Sequence, residues 1–315
     1  MNHVYLDLNV FDKIEKKETL KGEEKKWFDH LYNQIETEEI LTPYSNAHIS
    51  DLKRGYVNNA NLVNQHMQSI KKLSNDLCIV NYWGDQGVTW HYRDIEEFFE
   101  SSLADLNSST FEEFLNEAEF GFIYRMQLLP KKFEKLPDNF RLIADSNPLL
   151  KTMYPLAYGE LTEYAPCEDI FNLNSLLTKD YTLFKKMKGL IVEHRQKLKK
   201  QEKLFKLIEQ METIPESLKF DAALDIYIEK LKTSKNPQYQ NVTTAYFRMN
   251  FDGFKADSVF ANSVDDGIHV YYGSHCDYFV TGDDKCHYKA GKVYKQLRID
   301  TKVVTPEEYY KLTIK

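Results

Sequence analysis

The stretch Val4–Phe11, VYLDLNVF, decides the fold that the sequence predicts. Its apolar start, Val4–Leu6, is rich in β-formers and short enough for a buried strand. Asp7 is therefore predicted at the carboxyl end of the first strand, with Asn9 just beyond it. Open α/β sheets bind their ligands at the carboxyl ends of parallel strands. The stretch thus predicts a parallel sheet with an acidic group at its ligand-binding edge.

A second stretch near the other end of the chain repeats this arrangement. Asp277–Thr281, DYFVT, is typical of another buried strand, and the chain leaves it through the turn-like Gly282–Asp284. Asp283 then takes the position on its strand that Asp7 takes on the first. Because parallel strands end at one edge of a sheet, we expect these two carboxylates to meet despite their separation along the chain.

Two predicted helix starts add further acids. Ile40–Pro43 is typical of a strand that ends at the proline, after which Ser45 is predicted to cap a helix that carries Asp51. Asp265 and Asp266 precede an amphipathic run and are predicted to begin another helix. A single acid after a strand is most often a loop or capping residue. The prediction of a site therefore depends on the ordered set.

In this order, the residues resemble the PIN-domain family of metal-dependent nucleases. The resemblance covers roughly residues 1–80 and 245–315, and the closing segment Thr301–Lys311, TKVVTPEEYYK, is similar to the family's last strand and following turn. The second acid is usually Glu in the family, whereas this chain has Asp, and a long insertion separates the second acid from the third. The motif residues are Asp7, Asn9, Asp51, Asp266, Thr281 and Asp283.

The resemblance implies an α/β fold: a PIN-like three-layer domain with a central parallel sheet, interrupted by a large, mostly α-helical insertion. Residues 1–82 and 245–315 are expected to form one discontinuous nuclease domain, and residues 83–244 a helical insertion subdomain. Its clearest predicted element is one long helix over Asn174–Glu212. The apolar stripe of this helix, Leu183–Met211, is expected to pack on another helix of the chain or of a second subunit.

The resemblance also implies a centre for Mg²⁺ or Mn²⁺, cations that prefer oxygen ligands. Two such ions about 3.5–4 Å apart can activate a water and stabilise both oxygens of a phosphodiester displacement. Asn9 and Thr281 are expected to orient carboxylates, waters or phosphate, and Lys285 to meet a phosphate. The expected catalytic and metal-binding acids are Asp7, Asp51, Asp266 and Asp283, supported by Asn9, Ser45, Thr281, Asp265, Asp284 and Lys285.

The implied activity is phosphodiester hydrolysis, with RNA favoured because most small PIN proteins cut RNA. A toxin or defence endoribonuclease would suit this arrangement. Three alternatives stay open: a DNA nuclease of the same fold, a haloacid-dehalogenase-like phosphohydrolase, and a non-catalytic PIN-like binding module. The phosphohydrolase requires a second acid two residues after the first, where this chain has Asn9. Through the insertion, the chain is also expected to form a homodimer or to bind a regulatory protein.

The composition suggests a cytoplasmic protein. The 315 residues are 42% hydrophobic and 28% charged, and they contain neither a membrane-spanning apolar run nor a signal region before the first strand. The four cysteines form no CxxC pair, which argues against disulfide and zinc frameworks. The net charge of −7 opposes nucleic-acid binding unless bound cations offset it. A group expected to pack on a helix and loop comprises His269, His275, Cys276, Cys286 and His287.

Overall fold

The computed structural model describes residues 1–56, 59–82, 85–104, 140–146, 148–159, 165–200, 236–251, 255 and 259–314. Seven strands form two sheets in this part of the chain: β1 (Asn2–Leu6), β2 (Ile40–Leu41), β3 (Tyr44–Ser45), β4 (Leu77–Val80), β5 (Thr89–Tyr92), β6 (Tyr278–Val280) and β7 (Lys302–Val304). The described helices are α1 (Leu8–Glu15), α2 (Gly22–Glu36), α3 (Asn46–Tyr56), α4 (Ala60–Ser74), α5 (Ile95–Ala104), α6 (Phe140–Ser146), α7 (Pro148–Met153), α8 (Pro155–Gly159), α9 (Ala165–Lys179), α10 (Tyr181–Lys200), α11 (Pro237–Phe251), α12 (Phe260–Gly273), α13 (Asp284–Leu297) and α14 (Pro306–Thr313).

The first strand, β1, lies inside a four-stranded parallel sheet of order β2-β1-β6-β7. Leu6 pairs with Val280, which pairs in turn with Val304. The next residues, Asp7 and Thr281, therefore leave their strands at the same carboxyl edge. The predicted α/β fold with a central parallel sheet is confirmed.

Helices cover both faces of this sheet. Val4 and Leu6 are buried in a core with α1, α2, α4 and α14, whereas Tyr5 is buried on the opposite face in a core with α11, α12 and α13. This division follows from the alternation of side chains along a strand. Because β1 is covered on both faces, its run of apolar residues is unbroken, as is typical of parallel sheets.

The last elements follow the sequence prediction closely. β7 ends before Thr305, whose hydroxyl accepts a hydrogen bond from Glu308 N at 3.2 Å, while the Glu308 carboxylate accepts one from Thr305 N at 2.8 Å. This capping box, with Pro306 at the first helical position, begins α14. The strand and turn expected in Thr301–Lys311 are therefore present.

The two cores of the central sheet extend across the predicted domain boundaries. β5 pairs antiparallel with β4 in the second sheet, and Ile95 and Phe99 of α5 are buried in the core that holds Val4. Val242 of α11 is buried with Tyr5. The division after residue 82 and before residue 245 stays a prediction, but residues of the proposed insertion contribute to both cores.

Helices α6 to α10 form a third core. Phe184, Met187 and Ile191 of α10 are buried in it, together with Phe247 of α11 and Phe260 of α12. The core therefore extends onto α12, the helix that also packs on the central sheet. Among the described helices, none combines the length and the apolar character needed to cross a membrane.

The single long helix predicted over Asn174–Glu212 is wrong in its described part. α9 ends at Lys179, and the Asp180 carboxylate accepts hydrogen bonds from the N–H groups of Thr182 and Leu183 at 2.8 and 3.0 Å. Asp180 thus caps a new helix, and Asp is among the residues preferred at the N-cap position. The described part of the stripe packs on other helices of the chain, since Met187 is buried in the third core. Residues 201–235 lie outside the described residues, so the packing of the remaining part, or a contact with a second subunit, stays a prediction.

Candidate metal centre

Asp7 is held at the carboxyl edge by hydrogen bonds to both of its oxygens. Oδ1 accepts from Leu8 N at 2.7 Å, which caps α1. Oδ2 accepts from the Thr281 hydroxyl at 2.7 Å and from the Asn9 amide at 2.8 Å. Asn9 Oδ1 in turn accepts from Gly282 N at 3.1 Å. Asn9 and Thr281 therefore tie Asp7 to the end of the neighbouring strand.

Asp51 reaches the same edge from α3. Ser45 precedes this helix and caps it, since its hydroxyl accepts a hydrogen bond from Ala47 N at 3.2 Å. Asp51 Oδ2 accepts a hydrogen bond from His269 Nε2 at 2.9 Å, and the same nitrogen lies 4.0 Å from Asp7 Oδ1. One ligand atom from each of these three side chains lies within 4.8 Å of the others. Asp7, Asp51 and His269, here called the edge cluster, can therefore hold one metal ion.

A buried hydrogen-bond network fixes the imidazole of His269 from behind. Its Nδ1 lies 2.9 Å from the Tyr5 hydroxyl, which lies 2.6 Å from Ser45 Oγ. His48 Nδ1 accepts from Ser45 N at 3.0 Å, and its Nε2 donates to Leu6 O at 2.8 Å. Burial and the charge of His269 lower the pKa of His48 to about 3, so this imidazole is neutral at physiological pH.

The charged groups of the edge cluster shift one another's pKa values. Burial raises the pKa of Asp7, although His269 and the hydrogen bond from Thr281 act against it. Burial also acts to raise the pKa of Asp51, but the hydrogen bond and charge of His269 outweigh it and lower that pKa. For His269, burial acts to lower the pKa, and the two carboxylates raise it to about 9. An imidazolium therefore offsets one of the two negative charges when no other cation does.

Arg54 is a second cation that sequence reasoning missed. Its guanidinium donates to Asp51 Oδ1, lies 2.9 Å from Asp265 Oδ2, and donates to Asn262 Oδ1 at 3.0 Å. Burial raises the pKa of Asp265 to about 6, although Arg54 acts against it. The three-residue spacing of Asp51 and Arg54 on one helix was the available signal.

Asp266 lies close to the edge cluster but has partners of its own. Its Oδ2 accepts a hydrogen bond from the Tyr246 hydroxyl at 3.0 Å, and the buried Lys289 ammonium lies 4.4 Å from the centre of the Tyr246 ring. The predicted start of a helix at Asp265 and Asp266 is wrong, because α12 begins at Phe260. Its N-cap residue, Val259, makes no side-chain capping hydrogen bond.

Asp283 follows β6 as predicted and caps α13. Its Oδ1 accepts from Lys285 N at 2.7 Å and from Cys286 N at 2.8 Å, while its own N–H donates to the Thr281 hydroxyl at 3.1 Å. Asp284 and Lys285 are exposed in the first turn of α13. Burial is the main cause that raises the pKa of the Cys286 thiol. The charges of Asp266, Asp7 and Asp283 raise this pKa further.

Not all four predicted acids enter the group with ligand spacing. Asp7 and Asp51 do, whereas no described group with this spacing contains Asp266 or Asp283. His269 takes the third place, so its side chain belongs to a group with ligand spacing in addition to the packing expected of it. Its position three residues after Asp266 and four after Asp265 places it on their face of a helix, and this was the signal for it.

Two other features lie away from this edge. Asp12, Glu15 and His66, here called the helix cluster, also have ligand atoms within 4.8 Å of one another. A polar cavity of about 820 Å³ lies at the amino edge of the central sheet, beside His3 and Asp277. None of the predicted site residues lines that cavity. The edge cluster is thus the group that combines sequence-predicted acids with ligand spacing.

Comparison with protein-family models, with curated proteins and with solved structures finds no match to this chain.

Proposed function

We propose that the protein is a PIN-like, metal-dependent nuclease that hydrolyses phosphodiester bonds. The observation that carries the proposal is the 2.7 Å hydrogen bond between Asp7 and Thr281 across neighbouring parallel strands. It joins the first and last motifs of the resemblance at the edge where open α/β sheets bind ligands. Asp51, from the second motif, lies beside them.

The proposed roles follow from the surroundings of each side chain. Asp7, Asp51 and His269 would hold a divalent cation, which when bound lowers the pKa of a coordinated water and stabilises charge on the phosphate. Asn9 and Thr281 keep Asp7 in position by donating to its Oδ2. Asp7 and His269 are buried and Asp51 is partly buried, and electrostatic interactions are stronger where bulk water is excluded.

Asp266 and Asp283 are proposed as outer members of the acidic site. Asp283 is exposed and Asp266 half-buried, so both can accept hydrogen bonds from waters that approach the edge cluster. Lys285 is exposed two residues after Asp283 and is proposed to meet a substrate phosphate. RNA stays the favoured substrate by analogy with the PIN family, and a homodimer or regulatory partner at the insertion stays a prediction.

The contacts of Asn9 disfavour a haloacid-dehalogenase-like phosphohydrolase. In that reaction an acid at this position delivers a proton to the leaving group. Here an amide occupies the position and donates to Asp7 Oδ2 at 2.8 Å, and an amide does not serve as a general acid. A cleavage assay distinguishes the two remaining alternatives. A DNA nuclease would cut DNA, and a non-catalytic binding module would cut neither RNA nor DNA.

The test is a cleavage assay on single-stranded and structured RNA and DNA, with Mg²⁺, Mn²⁺ or a chelator. We expect RNA cleavage that the chelator abolishes and that Asp7→Asn and Asp283→Asn remove without unfolding the protein. Asp300→Asn, at an exposed position, serves as the control and should retain activity. Cleavage that persists in chelator, or in both site variants, would refute the proposal. Cleavage of DNA alone would favour a DNA nuclease of the same fold, and no cleavage of any substrate would favour a non-catalytic binding module.

A further inference from the structure

We infer that the edge cluster selects a first-row transition-metal dication over Mg²⁺, with His269 Nε2 as a direct ligand and Tyr5 as the residue that positions it. The inference rests on the proposed metal centre and narrows its choice of cation. It concerns which ion binds and through which atoms, whatever substrate the bound ion then acts on.

The orientation of the imidazole is the first step. His269 Nε2 is the ring nitrogen that faces the acids, 2.9 Å from Asp51 Oδ2 and 4.0 Å from Asp7 Oδ1. Nδ1 faces away from them, toward the Tyr5 hydroxyl at 2.9 Å. A metal-binding imidazole offers one nitrogen lone pair, here after the metal displaces the Nε2 proton that Asp51 accepts, and donates its other N–H to a fixed acceptor. The Tyr5 oxygen supplies that acceptor.

The second step is the direction of the network behind Tyr5. If the Tyr5 oxygen accepts from His269, its hydrogen is free to donate to Ser45 Oγ at 2.6 Å. Ser45 Oγ also accepts from Ala47 N at 3.2 Å, and Ser45 N donates to His48 Nδ1 at 3.0 Å. The side chains of Tyr5, Ser45 and His48 are fully buried, so bulk water does not compete for these bonds. The network therefore holds Nε2 as the ligand atom.

The third step is the chemistry of the donors. The cluster offers two carboxylates and one imidazole. Mg²⁺ takes oxygen ligands in near-octahedral geometry and keeps several waters, so an imidazole that cannot turn away is a poor partner for it. Transition-metal dications accept imidazole readily, and their affinity for such mixed sites rises from Mn²⁺ to Co²⁺. The same cluster that permits Mn²⁺ therefore discriminates against Mg²⁺.

The test measures Mn²⁺ binding by electron paramagnetic resonance on the full-length protein, without any substrate. In the unmodified protein, we expect bound Mn²⁺ with electron spin echo modulation from an imidazole nitrogen, and little displacement by about a hundredfold excess of Mg²⁺. Co²⁺ should displace Mn²⁺ at comparable concentration. Circular dichroism checks that each variant is folded.

Three variants locate the ligand. His269→Gln should weaken Mn²⁺ binding at least about tenfold and abolish the nitrogen signal, and Tyr5→Phe should weaken binding about tenfold while the signal remains. His66→Gln changes the imidazole of the helix cluster and is the matched control, with no expected effect. If His269→Gln does not fold, the nitrogen signal and Mg²⁺ competition in the unmodified protein still decide the matter, and Tyr5→Phe supplies the variant.

Bound Mn²⁺ without nitrogen modulation, displacement by equimolar Mg²⁺, or loss of binding in His66→Gln alone would overturn the inference. These outcomes are separable from the fate of the proposed function. Nitrogen-ligated Mn²⁺ in a protein that cleaves neither RNA nor DNA refutes the nuclease and leaves this inference intact. Equal cleavage with Mg²⁺, in a protein whose bound Mn²⁺ lacks the nitrogen signal, refutes the inference alone.

Discussion

The edge cluster and the helix cluster contain the same chemical groups in different settings. Each brings two carboxylates and one imidazole within ligand spacing. In the edge cluster the side chains of Asp7, Asp51 and His269 are 10%, 12% and 2% exposed. In the helix cluster those of Asp12, Glu15 and His66 are 30%, 26% and 16% exposed.

Their anchoring differs as well. The helix cluster spans the surfaces of α1 and α4, with His66 Nδ1 2.9 Å from Glu15 Oε2 and a salt bridge from Lys16 to Asp12. The edge cluster is fixed by strand ends and by the network behind His269. Spacing alone does not distinguish two such groups. The burial of the side chains and a hydrogen bond that fixes the imidazole distinguish them, because both affect the free energy of binding a cation.

The largest effect expected from this difference is on catalysis. Asp51→Asn removes one negative charge from the edge cluster, and we expect RNA cleavage to fall at least about a hundredfold. Glu15→Gln removes the matching charge from the helix cluster and should leave cleavage unchanged. Initial rates under saturating Mn²⁺ measure both. Equal losses in the two variants, or none in either, would remove the distinction between the clusters.

Asp169 sharpens the comparison because it is a buried acid outside both clusters. Its carboxylate accepts from the N–H groups of Leu156 and Ala157, each at 2.9 Å, and burial raises its pKa from 3.8 to about 6 despite these bonds. In the unfolded chain the group ionises from about pH 4, whereas in the folded protein it stays protonated until about pH 6. The unfolding free energy is therefore expected to fall as pH rises through this window, by up to about 3 kcal/mol.

Asp169→Asn removes that titration. The unfolding free energy of the unmodified protein minus that of the variant, measured in urea from pH 4 to 7, should decrease between pH 4 and 6 and then level off. A difference that stays constant, or that grows with pH, would show that burial does not control this carboxyl.

The smallest expected effect concerns the cation beside each cluster. Arg54 pairs with Asp51 as Lys16 pairs with Asp12. In Arg54→Met, the acids lose a competing positive charge, so we expect Mn²⁺ to bind a few times more tightly, about the amount that a half-exposed ion pair contributes. Lys16→Met should not change Mn²⁺ affinity at all. Weaker binding in Arg54→Met would mean that the guanidinium positions Asp51 for the metal.

Local sequence signals predicted the parts of the centre that lie at strand ends. Asp7 and Thr281 follow short apolar runs, and parallel pairing brings the ends of these runs together. His269 was missed as a possible ligand because His275 and Cys276, close to it in the sequence, suggested local packing. Its helical spacing from Asp265 and Asp266 places it on the face that reaches Asp51. The start of α12 was missed because its N-cap residue, Val259, makes no side-chain capping hydrogen bond.

Tyr5 lies on β1 and Asp7 directly follows this strand, two residues later, and this spacing links the centre to strand register. A slip of β1 by one residue against β6 would turn both side chains to the other face at once. The centre would then lose Asp7, a proposed ligand, together with Tyr5, which orients the second ligand, His269. An occupied centre should consequently favour one alignment of β1 over its neighbours, and amide hydrogens of Val4–Leu6 should exchange more slowly when Mn²⁺ is bound.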